Sequence, residues 1–127
     1  MARAKVALGW RAAFFRGILC DALVCLAVCL SFGARDVAGK IIAVVFPISA
    51  FVALGFEHSV ANMYVIPLAL MHGAGGVTLA GFLGNLVPVT VGNVVGGGVF
   101  VAGVYWLCYR YRAPGSVADE PARALGD

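Results

Sequence analysis

Residues Gly55 to Pro67 read GFEHSVANMYVIP, and they place a glutamate beside a histidine inside the apolar stretch Val37 to Met71. A continuous helix over that stretch rises about 1.5 Å per residue and reaches on the order of 50 Å, against a bilayer core of roughly 30 Å. The segment must therefore tilt, break or leave the membrane. Pro47 and Pro67 each remove a backbone donor, and Gly55 directly precedes the polar residues. The economical solution is one helix from about Val37 to Leu54 and a second from about Ser59 to Met71. Backbone groups freed at such a break cannot face lipid and are tolerated only where protein covers them or a cavity receives them. If Ser59 opens the second half-helix, its N–H groups and positive dipole end point into that cavity and favour anions.

Composition supports a membrane setting. Of the 127 residues, 62% are hydrophobic and 12% are charged, and the mean hydropathy is +0.98. A soluble domain built this way would lack a polar surface. The net charge of +3 is too small to suggest nucleic-acid binding. Basic residues gather at Arg3, Lys5, Arg11 and Arg16, at Arg35 and Lys40, and at Arg110 and Arg112, where the rims of spans are expected. No secretory signal is read, because the apolar run after Arg16 carries Asp21 and leads on into further spans.

The pattern predicts an all-α membrane protein with three transmembrane segments, the middle one broken. The spans cover about residues 12–34, 37–72 with the break near 55–59, and 86–110. Trp106 and Tyr105, Tyr109 and Tyr111 then form an aromatic belt at the last rim. The segment HGAGGVTLAGFLGN, His72 to Asn85, is expected to be a turn with about one interfacial helical turn. The tail, residues 113–127, has two prolines, mixed charges and no hydrophobic face, and is expected to be a disordered cytoplasmic extension. Basic residues divide four against four between the two sides, so charge alone does not orient the chain. Cys20, Cys25, Cys29 and Cys108 lack a histidine at metal-ligand spacing and read as small helix-packing residues.

His58 and Asn62, four apart, share a helix face, whereas Glu57 is rotated roughly 100° from His58 and need not pair with it. His58 reads either as a titrating group in a pore or as polar glue between helices. Glu57 reads as support for the break, Gly55 as its hinge. Asp21 and Asn93 are candidates to face the same interior. An intramembrane enzyme using Glu57, His58 and Ser59 is not favoured, since consecutive residues point apart and no nucleophile motif or metal set accompanies them. No cofactor is expected.

GFEHSVANMYVIP, together with NLVPVTVGNVVGG (Asn85 to Gly97) and RGILCDALVCLAV (Arg16 to Val28) in this order, resembles the C-terminal half of the formate/nitrite transporter family. The resemblance covers about Lys5 to Tyr111. It implies an aquaporin-like fold of six spans, built from two inverted three-span repeats and assembled as a pentamer with one pore per protomer, of which this sequence is similar to the second repeat. It implies that His58 stands at the pore centre with Asn93 nearby, that Phe51 and Val24 belong to constrictions, and that Lys5 lies toward the outer vestibule. It places the C-terminal tail in the cytoplasm and the protein in the inner (plasma) membrane. The implied activity is proton-linked passage of a small monovalent anion such as formate or nitrite, with the neutral acid crossing the apolar constrictions.

Two departures stand out. Where the family typically reads CNWLVC, this chain has Asp21-Ala22, replacing a neutral amide by an ionisable group. That disfavours anions unless Asp21 is protonated, as desolvation allows. The chain also corresponds to the second repeat alone, so it is expected to act as a partial or split transporter completed by further copies or by a separate N-terminal half. The other expectation is a non-transporting remnant or membrane assembly subunit.

Overall fold

The computed structural model describes residues 1–110; the expected tail, with Tyr111 and Arg112, lies outside the described residues. Six α-helices follow one another: α1 (Ala2–Val6), α2 (Trp10–Gly33), α3 (Val37–Ala53), α4 (Ser59–Met71), α5 (Leu79–Val95) and α6 (Val104–Arg110), with a π-helical stretch, Gly96–Gly103, joining the last two. Every described element is helical. Two continuous helices, Trp10–Gly33 and Leu79–Arg110, are long and apolar enough to cross a bilayer.

Local chemistry sets the boundaries. Gly9 is extended (φ −65°, ψ 151°) and separates α1 from α2. Asp36 caps α3 by accepting from Gly39 N at 2.8 Å, which satisfies one of the donors orphaned at a helix start. The helix α3 runs straight through Pro47, and α4 runs through Pro67, so neither proline marks the break. The chain stops at Gly55 instead, where φ is +65°, a conformation that costs other residues about 1–2 kcal/mol. There Gly55 N donates to Val52 O at 3.1 Å and Phe56 N to Phe51 O at 3.0 Å, the paired bonds of a Schellman cap. The same device closes α4 at Gly73.

The last helix begins at Leu79, seven residues before the expected 86, because Thr78 Oγ1 caps it by accepting from Gly81 N at 3.1 Å. Its glycines 81 and 84 are tolerated inside the helix rather than ending it. At the far end, Arg110 lies over the Trp106 ring, 5.0 Å from its centroid, a cation–π contact suited to an interface.

The helices α2 and α5 pack backbone against backbone. A Cβ on Gly17 would sit 2.8 Å from Val89 O, and Cβ atoms on Gly92 and Gly96 would overlap the carbonyl oxygens of Phe14 and Ile18. Gly92 and Gly96 form a small-xxx-small pair, the spacing that lets apolar helices approach closely. Ala13, Cys20, Ala27 and Val89 are fully buried along this seam. By contrast, α3 leaves Val37, Ile41, Ile42, Val45 and Phe46 half exposed or more, an apolar surface matched to lipid or to further helices.

Candidate functional site

Residues 55–58, in the junction between α3 and α4, form one wall of a cavity of about 310 Å³ whose lining also includes Lys5, Arg16 and Phe51. Four elements meet here, and the polar groups of the junction are satisfied from three of them. Glu57, 2% exposed, takes Lys5 Nζ on both carboxylate oxygens at 3.0 Å. Asn62 Nδ2 donates to Glu57 Oε2 at 2.6 Å and to Asn85 Oδ1 at 2.8 Å. Asn85 Nδ2 returns to Lys5 O at 2.8 Å. This closed ring ties α1, the junction, α4 and α5 together. Such burial of a charge pair is tolerated only with this degree of hydrogen bonding.

A second knot lies beside it. Asn93 Oδ1 accepts from Ser59 N at 2.9 Å, while its Nδ2 donates to Gly17 O at 2.8 Å and Glu57 O at 3.1 Å. Glu57 N reaches Arg16 O at 3.4 Å. The donors at the start of α4 are therefore largely taken: Ser59 N by Asn93, and Ala61 N by His58 Nδ1 at 3.4 Å. The expectation that these N–H groups stand open to an anion is corrected accordingly.

His58 is the N-cap of α4. Because Nδ1 accepts a backbone N–H, the neutral ring carries its proton on Nε2. That nitrogen lies 3.8 Å from Asp21 Oδ1. The ring faces Phe51, with centroids 6.1 Å apart. In the cavity, the charges of Lys5 and Glu57 offset one another, and Arg16, with no acidic partner within 4 Å among the described residues, leaves the wall net positive.

The structure thus brings His58, Phe51, Lys5, Glu57 and Gly55 to one cavity. Asp21 touches His58 without lining that cavity, and Val24, half-buried, lies one turn beyond Asp21 on α2. Asn62 and Asn93, 0% and 6% exposed, serve the buried network rather than the cavity wall. Sequence reasoning took Arg16 as a span rim and did not single out Asn85; an asparagine eight residues before Asn93 in an apolar helix was the available signal for Asn85. No group of three His, Cys, Asp or Glu side chains placed to hold a metal ion occurs among the described residues.

Among the described residues, an all-helical fold with two helices long and apolar enough to cross a bilayer and a cavity lined by a histidine suits the class of helical membrane channels and transporters. The chain belongs to the formate/nitrite transporter family, whose sequence pattern matches residues 1–107. It is 50% identical over 110 residues to the uncharacterized transporter YrhG of Bacillus subtilis, covering 87% of this chain and 41% of that protein. It is 54% identical over 103 residues to a probable formate transporter of Methanothermobacter thermautotrophicus, covering 80% and 37%. Among solved structures, an FNT family ion channel superposes with a TM-score of 0.80 at 40% identity over 84% of this chain and 43% of that one. A pentameric formate channel with formate bound superposes with a TM-score of 0.76 at 38% identity, over 86% and 50%. The chain spans about two fifths of the length of the curated relatives it matches.

Proposed function

We propose that this chain forms part of a proton-linked pore for small monovalent anions, formate or nitrite, in the inner (plasma) membrane. In this reading α2 makes one crossing, α3 and α4 together make a second, and α5 through α6 make a third. The helix α3 has 17 residues and α4 has 13, so at 1.5 Å per residue they rise about 25 and 20 Å, and neither alone spans roughly 30 Å. The helices that complete the pore wall come from other segments, a separate N-terminal half or further copies, in a pentameric assembly like that of the formate channel it resembles.

The observation that carries the proposal is the placement of His58 at the meeting of cavity and helix start. An anion attracted by Arg16 reaches His58 and Phe51. Carrying the charge on through apolar surroundings costs about 3 to more than 10 kcal/mol, and even the low figure slows passage roughly a hundredfold. Transfer of the Nε2 proton from the imidazolium form of His58, in which Nδ1 is protonated too and releases Ala61 N, to the weak-acid anion removes most of that barrier. Histidine suits this task because an imidazole nitrogen can both take up and release a proton.

The test is uptake of formate and nitrite into proteoliposomes holding this chain alone, then with a matching N-terminal half. Saturable uptake that rises as external pH falls is the expected result. Absence of uptake in both preparations would favour a non-transporting assembly subunit.

A further inference from the structure

We propose that Asp21 is a specificity-determining residue that forces one proton to accompany each anion past His58. The inference rests on the transport reading above. Its geometry is independent of that reading. Asp21 Oδ1 lies 3.8 Å from His58 Nε2, the nitrogen left free when Nδ1 caps α4. The other oxygen is held by Cys25 Sγ at 3.8 Å and rests against the π-helical stretch. A Cβ on Gly97 would come within 2.5 Å of Asp21 Oδ2 and 2.9 Å of Cys25 Sγ, so glycine at that position makes room for the carboxylate. Here the eight-residue π-helical stretch seats an ionisable side chain that is itself only 21% exposed.

Every charged group around His58 is accounted for among the described residues. From α1 comes Lys5 and from the junction Glu57, paired with each other; from α2 come Asp21 and the cavity-lining Arg16; from α3 comes uncharged Phe51. Asp21 is thus the one carboxylate that faces the imidazole.

Its consequence is a charge rule. With Asp21 ionised and His58 an imidazolium, whose Nδ1 then holds a proton in place of the 3.4 Å bond from Ala61 N, the pair is neutral; with His58 a neutral ring it carries −1. A histidine beside a neutral amide would instead alternate between +1 and zero. When formate reaches the neutral pair, the imidazolium Nε2–H bond breaks, an O–H bond forms on a formate oxygen, and the electron pair stays on Nε2, leaving a neutral ring that keeps its proton on Nδ1. Neutral formic acid moves on, and the pair is left at −1. That charge repels the next anion until a proton from water on either side restores neutrality. No oxidation or reduction occurs. An anion that cannot be protonated is never carried.

The decisive variant is Asp21→Asn, which keeps size and shape. In proteoliposomes of the chain with its completing half, the wild type is expected to take up formate with one proton and no net charge while excluding nitrate, the anion of a strong acid. D21N should raise nitrate flux relative to formate by roughly tenfold or more, since removal of a unit charge a few ångströms from the path lowers an anion's barrier accordingly, and D21E should restore exclusion. An unchanged nitrate-to-formate ratio in D21N would overturn the proposal. If the wild type carries no formate, the transport reading fails, and the pair is then judged by 15N NMR of His58 in nanodiscs. A His58 Nε2 resonance that moves in D21N and returns in D21E supports the pair; one that is the same in all three overturns it.

Discussion

Lys5 and Glu57 lie 52 positions apart and meet as a buried ion pair, with Nζ 3.0 Å from both carboxylate oxygens. The pair pins the N-terminal helix to the junction where α3 gives way to α4. Removing one partner strands a buried charge, which costs about 3–5 kcal/mol, whereas removing both with shape kept costs far less. Lys5→Met and Glu57→Gln should each lower the thermal stability of the detergent-solubilised protein markedly, and the double variant should recover most of the loss. Additive losses would show that the two side chains act separately.

Asn93 holds one backbone group each of α4, α2 and the junction: Ser59 N, Gly17 O and Glu57 O. Asn93→Leu leaves them buried without partners, at about 1–3 kcal/mol per group. Hydrogen exchange at the start of α4 should accelerate in this variant by a factor of ten or more, while α3 exchange stays near its wild-type rate. Equal acceleration throughout would point to global loosening instead.

The α2–α5 seam predicts a contrast between glycines of one helical run. At Gly96 a Cβ would overlap Ile18 O, whereas at Gly84 it would meet nothing within 4 Å. Gly96→Ala should force the helices apart and destabilise by about 1–3 kcal/mol. Gly84→Ala should be neutral or stabilise by about 0.5–1 kcal/mol through helix propensity. Matched melting curves of the two variants would contradict the seam.

Gly55 adopts φ +65° at the end of α3 and also lines the cavity. Gly55→Ala keeps the volume nearly constant and costs about 1–2 kcal/mol in backbone strain. Gly55→Asn should be milder, because asparagine tolerates the left-handed region. Thermal unfolding of the two variants gives the order directly.

Much of this arrangement is legible in particular residues. The length of the apolar run, the glycine at 55 and the charged pair after it point to a junction near Gly55 to Ser59, and the structure leaves residues 54–58 between α3 and α4. What could not be read was tertiary. A buried lysine is a poor guess from one sequence, since its burial depends on a glutamate 52 residues away. Pro47 and Pro67 lie inside α3 and α4, in keeping with helices read from about Val37 to Leu54 and from about Ser59 to Met71. The helix start at Leu79 is hard to read because glycines in HGAGGVTLAGFLGN suggest a turn, while the cap at Thr78 outweighs them. Asn62 illustrates the limit of periodicity: spacing puts it on the His58 face, yet its amide turns inward to Glu57 and Asn85.

The central claim, that His58 hands a proton to the passing anion, is tested most directly by the pH profile of formate uptake in wild type and His58→Asn, measured in the same proteoliposomes between about pH 5 and 8. Asparagine can still cap α4 through its side-chain oxygen, so the fold is kept while the proton is lost. The account predicts wild-type uptake that climbs as pH falls through this window and a His58→Asn profile that follows only the small concentration of formic acid already present. Coincident profiles, with equal rates at every pH, would contradict it.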